Sequence, residues 1–111
     1  MVLPMLLDIF REWAKDRSLS LKLLNVTSEI TTHEFVNGIR IADPSSKVLH
    51  ESPHCFGHII VWESQQFEME VLHIESEELI YWKYHEKIDC NTNLNEITSD
   101  YFKVLQTGLR I

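Results

Sequence analysis

Val61-Trp62-Glu63-Ser64-Gln65-Gln66-Phe67-Glu68-Met69-Glu70-Val71 alternates apolar and acidic side chains around a polar turn. Two strands joined as a hairpin, each with one wet face, give this pattern. Reading outward, the pattern predicts three strands over 57–64, 67–74 and 79–86, with short connections at Gln65-Gln66 and Ser76-Glu77 that make them an antiparallel meander. If each connection is two residues long, the register follows. Ile60, Trp62, Phe67, Met69, Val71, Ile80, Trp82 and Tyr84 then share a core face. The opposite face collects Ile59, Val61, Glu63, Glu68, Glu70, Leu72, Tyr81, Lys83 and His85, with Glu70 opposite Lys83.

Upstream, Glu34 to Ala42 alternates with Phe35, Ile39 and Ile41 on one face, and Asn37-Gly38 marks a kink or bulge within that strand. Asp43-Pro44-Ser45-Ser46 is a turn signal, so residues 43–55 are expected to form the longest loop. Leu19 to Thr27, with Leu19, Leu21 and Leu23 at alternate positions, is read as a further strand. Leu3, Leu6, Leu7, Phe10, Trp13 and Ala14 recur at helical spacing, with Pro4 suited to a first turn, and predict an amphipathic helix over 3–16. A last helix starts near Asn93, where Asn93 and Glu96 are placed as a capping box, and ends at Gly108. Its buried stripe is Leu94, Ile97, Tyr101, Val104 and Leu105. The expected fold is α+β: an antiparallel sheet of about five strands with both terminal helices packed on it.

At 111 residues the chain has room for one domain, 1–111, with one core. A net charge of −7 argues against nucleic acid or an anionic membrane as the main partner, since both demand a basic footprint. No apolar run is long enough to span a bilayer, and the N-terminus lacks the features of a signal peptide. Cys55 and Cys90 form no CxxC pair, which fits free thiols in a cytosol.

His50-Glu51-Ser52-Pro53-His54 matches the H-E-x-x-H pattern of zinc metalloproteases. That motif needs a helix to bring both histidines to one side, and Pro53 after a turn-rich loop opposes one. A polar loop leading into a strand is the plainer reading, although His54 and His58 near Cys55 offer metal donors. A small metal-dependent hydrolase using His50, Glu51, His54 and His58 is kept as an alternative. Cys55 reads as a reduced structural cysteine at a strand entrance, and Trp13, Trp62 and Trp82 fit core positions. No catalytic residue, resident metal or cofactor is expected.

From Val48 to Trp82 there is no lysine or arginine, yet the segment carries Glu51, Glu63, Glu68, Glu70, Glu75, Glu77 and Glu78. Like charges gathered on a sheet repel, so folding alone gives little reason to collect them. Mixed with Ile59, Val61, Leu72 and Tyr81, they have the composition of a protein interface that steers a basic partner. The expected contact residues are Glu63, Glu68, Glu70 and Tyr81 from the sheet, with Glu75, Glu77 and Glu78 from the adjoining loop.

The segments Gly57-His58-Ile59-Ile60-Val61-Trp62-Glu63-Ser64, Glu68-Met69-Glu70-Val71-Leu72-His73-Ile74-Glu75 and Ile80-Tyr81-Trp82 resemble the TriTu family of bacterial immunity proteins. The resemblance runs from Gly57 through Tyr101-Phe102, with a looser match in the first helix. It implies a cytoplasmic antitoxin without catalysis of its own, a monomer in a 1:1 complex with its cognate toxin. It further implies that this toxin is an ADP-ribosyltransferase attacking elongation factor Tu, carried by an Rhs effector and delivered by type VI secretion. A generic acidic adaptor that binds some other basic protein is the remaining alternative.

Overall fold

A computed structural model describes residues 5–111. The element order is α1 (Leu6–Lys22), β1 (Thr27–Val36), β2 (Ile39–Glu51), β3 (Cys55–Trp62), β4 (Phe67–His73), β5 (Leu79–His85), α2 (Leu94–Ile97) and α3 (Ser99–Thr107). The five strands pair antiparallel in sequence order, β1-β2-β3-β4-β5. Helices α1 and α3 cover the same side of this sheet: α1 lies over β1 to β3 and α3 over β3 to β5. The α+β architecture expected from the sequence is what the chain adopts.

Helix α1 buries Leu6, Leu7, Phe10, Ala14 and Leu21 along one stripe. Its expected beginning at Leu3 and Pro4 lies outside the described residues. The predicted strand over 19–27 is a correction: the helix continues through Lys22, and only Thr27 onward is extended. Leu21 falls two turns after Ala14 and is 1% exposed, whereas Leu19 and Leu23 face solvent. The apparent alternation was thus a helical stripe plus two exposed leucines. Ser18 and Ser20 stay helical by donating to the carbonyls of Lys15 (2.6 Å) and Arg17 (3.1 Å).

Asn37-Gly38 is not a kink within one strand. Both residues have positive φ, 52° and 79°, and they form the two-residue turn between β1 and β2. The expected 43–55 loop is also replaced, because β2 runs on to Glu51. The turn signal survives as an irregularity inside that strand. His33 pairs with Ser45 and Phe35 with Arg40, leaving extra residues of β2 to bulge around Pro44. The bulge grips the β3–β4 turn: Glu63 N–H donates to the Pro44 carbonyl (2.8 Å), and Asp43 accepts from the Ser64 backbone (3.1 Å) and hydroxyl (2.6 Å).

The β3–β4 turn decides the faces. Gln65 N–H donates to the Trp62 carbonyl (2.9 Å) and Trp62 N–H to the Gln66 carbonyl (3.0 Å), so three residues, Glu63 to Gln65, make the turn. Gln65 has φ 85°, the left-handed position that glycine favours in such turns. Its side chain compensates by donating to the Ile88 carbonyl (3.1 Å), while Ile88 N–H returns to the Gln65 carbonyl (2.9 Å). Val61 therefore pairs with Phe67 and Ile59 with Met69, odd with odd, where a two-residue turn would have paired odd with even. The β4–β5 connection shifts parity again: Glu77 takes φ 58°, Leu72 faces Leu79, and Val71 faces Tyr81.

The predicted partition is therefore reversed in β3 and, from Tyr81 onward, in β5, while Ile80 packs against the core as expected. Cys55, Gly57, Ile59 and Val61 join Phe67, Met69 and Val71 under the helices, with Tyr81 on the same side. Ile60, Trp62, Trp82 and Tyr84, expected in the core, lie on the other side of the sheet with Glu68 and Glu70. Glu70 stands opposite Trp82 rather than Lys83.

The last helical segment breaks at Thr98 into α2 and α3. Asn93 Oδ1 accepts from Glu96 N–H (3.2 Å), and Gly108 at φ 70° closes the C-terminus, as the sequence indicates. Tyr101, Val104 and Leu105 are fully buried against the sheet. Gly57 makes this possible, because a Cβ there would collide with Tyr101 Oη and stand 3.0 Å from Leu105.

Candidate functional site

With both helices on one side, the other side of the sheet carries no covering element among the described residues. The alternating burial of β3 and β4 follows from this: odd positions are buried and even positions are open or half-open. Register sets the open positions in rows across β2 to β5. Lys47, Ile60, Glu68 and Tyr84 form one row; Leu49, His58, Glu70 and Trp82 form the next; Glu51, Phe56, Leu72 and Leu79 form the third. Trp62 stands at the end, beside a shallow recess shared with Asp43, Gln66 and Tyr84.

Apolar side chains dominate this face. Trp82 is 55% exposed and Phe56 46%, with Tyr84, Leu49 and Leu72 close behind. The Trp82 and Tyr84 rings stack with an interplanar angle of 6° and centroids 6.4 Å apart, forming a shelf of two parallel rings along β5. These side chains form a contiguous open surface rather than scattered surface leucines, which makes the face the candidate interaction site. On the adjacent strand Glu68 and Glu70 converge on one imidazole: His58 Nε2 lies 3.5 Å from Glu68 Oε1 and 3.4 Å from Glu70 Oε2. Their three donor atoms lie within 4.8 Å of one another, the grouping of described residues best placed to hold a cation.

The sequence-predicted contact residues do not form one patch. Glu68 and Glu70 sit at the centre of the face. Glu63 lies in the β3–β4 turn, where Arg40 pairs with it. Glu75, Glu77 and Glu78 lie at the opposite end of β4, about 20 Å away for a strand of this length. There Glu78 pairs with Arg110 (3.1 Å). Tyr81 is on the helix-covered side, edge-on to Tyr101 at 6.4 Å. Residues missed as surface were Phe56, Ile60, Trp62, Trp82 and Tyr84; the length of the turn at 63–65 places the first three, and the parity of the β4–β5 connection places the last two.

The H-E-x-x-H match is taken apart by the fold. His50 is on β2 and 3% exposed, under the helices, while Glu51 points to the open face and His54 lies exposed in the β2–β3 turn. His50 Nδ1 is hydrogen-bonded to Tyr101 Oη (2.7 Å), and its ring packs edge-on against Phe102. Burial, then the charge of Arg17, lowers its pKa to about 4, so it is neutral at physiological pH. Desolvation raises the pKa of Tyr101 well above its ordinary value. These two form a neutral, buried link between sheet and α3. Cys55 is likewise fully buried, with its pKa raised by desolvation, the opposite of an activated thiolate, and no disulfide joins it to Cys90.

The open face thus presents two carboxylates set among aromatic and aliphatic side chains. No helix among the described residues is long and apolar enough to cross a membrane. A family model described as Immunity protein TriTu matches residues 8–104. No curated protein and no solved structure matches the chain.

Proposed function

Because the chain belongs to the TriTu family of immunity proteins, we propose that it acts in the bacterial cytoplasm as a stoichiometric, non-catalytic inhibitor of a secreted ADP-ribosyltransferase toxin. The family match over residues 8–104 supports the immunity role on which this reading is built. A transferase that uses NAD must hold a diphosphate, so its cleft is electropositive. An inhibitor with net charge −7 and glutamates on its contact surface competes for such a cleft by presenting anionic charge. Inhibition then consists of occluding the active site or the surface that docks the target.

Of the acidic residues, Glu68 and Glu70 are the ones set in an apolar surround that a partner can desolvate, so they are assigned the main role. Glu63, Glu75, Glu77 and Glu78 act at longer range, steering encounter. Tyr81, turned toward Tyr101, supports the sheet from behind. The reading of the protein as a metal-dependent hydrolase finds no support in the divergent directions of His50 and His54.

Co-expression tests the function. Cells producing the toxin encoded beside this gene should survive when the chain is present, and purified chain should block ADP-ribosyl transfer at a 1:1 ratio. Toxicity unaffected by saturating chain would refute the proposal.

A further inference from the structure

The geometry of the bare sheet face points to a specific occupant, and we propose that it seats an arginine side chain of the toxin between the Trp82–Tyr84 shelf and the carboxylates of Glu68 and Glu70. This rests on the immunity reading and names the chemistry of the contact.

Glu68 pairs across strands with Tyr84, and Glu70 with Trp82. Directly opposite residues on one sheet face have Cβ atoms about 5 Å apart, so each carboxylate rises beside an aromatic ring. The two rings are parallel, 6° apart with centroids 6.4 Å from each other, so both present their faces in the same direction to a planar cation. Both carboxylates are part-exposed, with 29% and 37% of the side chain accessible, and His58 Nε2 lies 3.5 Å from one and 3.4 Å from the other. The two carboxylates therefore stand close enough together for one cation to meet both.

A guanidinium suits this arrangement better than an ammonium. It stacks its face on an indole while its edge donates to more than one carboxylate; a lysine supplies a compact point charge that does neither as well. Among the described residues of these rows the one lysine, Lys47, lies at the far end beyond Ile60, which leaves Glu68 and Glu70 accessible to an incoming cation. A second copy of this chain is a poor occupant. Face-to-face packing would bring Glu68 and Glu70 against their own equivalents, in a protein already carrying −7. An anionic ligand is repelled for the same reason. The surrounding Phe56, Ile60, Leu72 and Trp62 provide the water-excluding border that makes such a charge pair count.

The test measures the dissociation constant of full-length chain for the catalytically inactive toxin domain encoded in the neighbouring gene. Trp82→Ala should weaken binding at least 30-fold and Glu70→Gln about 10-fold, with a shallower salt dependence for the latter. Glu12→Gln on the exposed side of α1 should stay within twofold. Circular dichroism and melting curves establish that each variant is folded; Trp82 and Glu70 are outside the core, so they should be. Within the toxin, one arginine should show coupling with Glu70→Gln in a double-mutant cycle, and its replacement by lysine should not restore affinity. Tight wild-type binding with Trp82→Ala and Glu70→Gln both within twofold would overturn the arginine seat and leave the immunity reading intact. Full affinity with lysine in the toxin would overturn the choice of arginine. Absence of wild-type binding would refute both together.

Discussion

His50 shows how much a single residue can mislead when read in sequence and how much it explains in space. It occupies the first position of an apparent zinc motif, yet it is packed between Tyr101 and Phe102 and kept neutral. Unfolded, it titrates near 6.5; folded, near 4. The depressed value means that the unfolded chain takes up its proton first as pH falls. Stability from this residue is therefore intact above pH 6.5, declines between 6.5 and about 4, and is constant below. The full loss is on the order of 3 kcal/mol. Urea denaturation between pH 7.5 and 4.5 should show wild type losing more stability than His50→Asn, and parallel slopes would contradict the assignment. Gly57 acts on the same link from the sheet side. Gly57→Ala should cost about 2–3 kcal/mol through overpacking, and Tyr101→Phe in that background should recover part of it, because the methyl meets Tyr101 Oη. Nothing in the sequence announced this glycine's role, since the residue that needs the space is distant in the chain.

Turns, rather than strands, set what each element faces. The alternation of β3 and β4 was plain in the sequence, as were the stripe of α1, the Asn93 cap and the stop at Gly108. What failed was parity. Gln65 in a left-handed conformation makes the turn one residue longer than two, and that single residue moves Trp62 and Ile60 from core to surface. A glutamine there gives no local sign of positive φ, because its support comes from Ile88, more than twenty residues on. Two opposing terms of about 1 kcal/mol, relief of left-handed strain and loss of that hydrogen bond, predict that Gln65→Gly stays within about 1 kcal/mol of wild type. Gln65→Val, β-branched at positive φ and without the hydrogen bond, should lose about 2 kcal/mol or more. Chemical denaturation of the pair separates turn strain from side-chain anchoring. The strand mistaken at 19–27 failed for a related reason: three leucines at alternate positions satisfy either period until Leu21 alone is seen to be buried.

At the scale of the molecule, an apolar face is kept in solution by charge. The chain carries −7 near neutrality and has an isoelectric point near 5.2. Repulsion between copies is strongest at low salt and neutral pH and fades as pH approaches that point. Sedimentation should therefore report a monomer at pH 7.5 in low salt and increasing self-association toward pH 5.2. Trp82→Glu should suppress this association; if it did not, the open face would not be the sticky one. The immunity role was legible from the Gly57–Trp82 segments, whereas the spatial arrangement of the glutamates was not, because acidic residues adjacent in sequence are scattered over the face centre and both sheet ends.

The one-sided covering of the sheet has a consequence for how this protein can change over generations. Along β3 and β4 the odd positions hold the fold and the even positions meet the outside, so alternate codons answer to different selection. Under the proposed contact, a lineage facing a new toxin can rewrite Phe56, His58, Ile60, Glu68 and Glu70 while Gly57, Ile59, Val61, Met69 and Val71 stay fixed. Adaptation and folding are interleaved in the same strands and yet are nearly independent, which leaves an arms race free to run on one side of a sheet without disturbing the other.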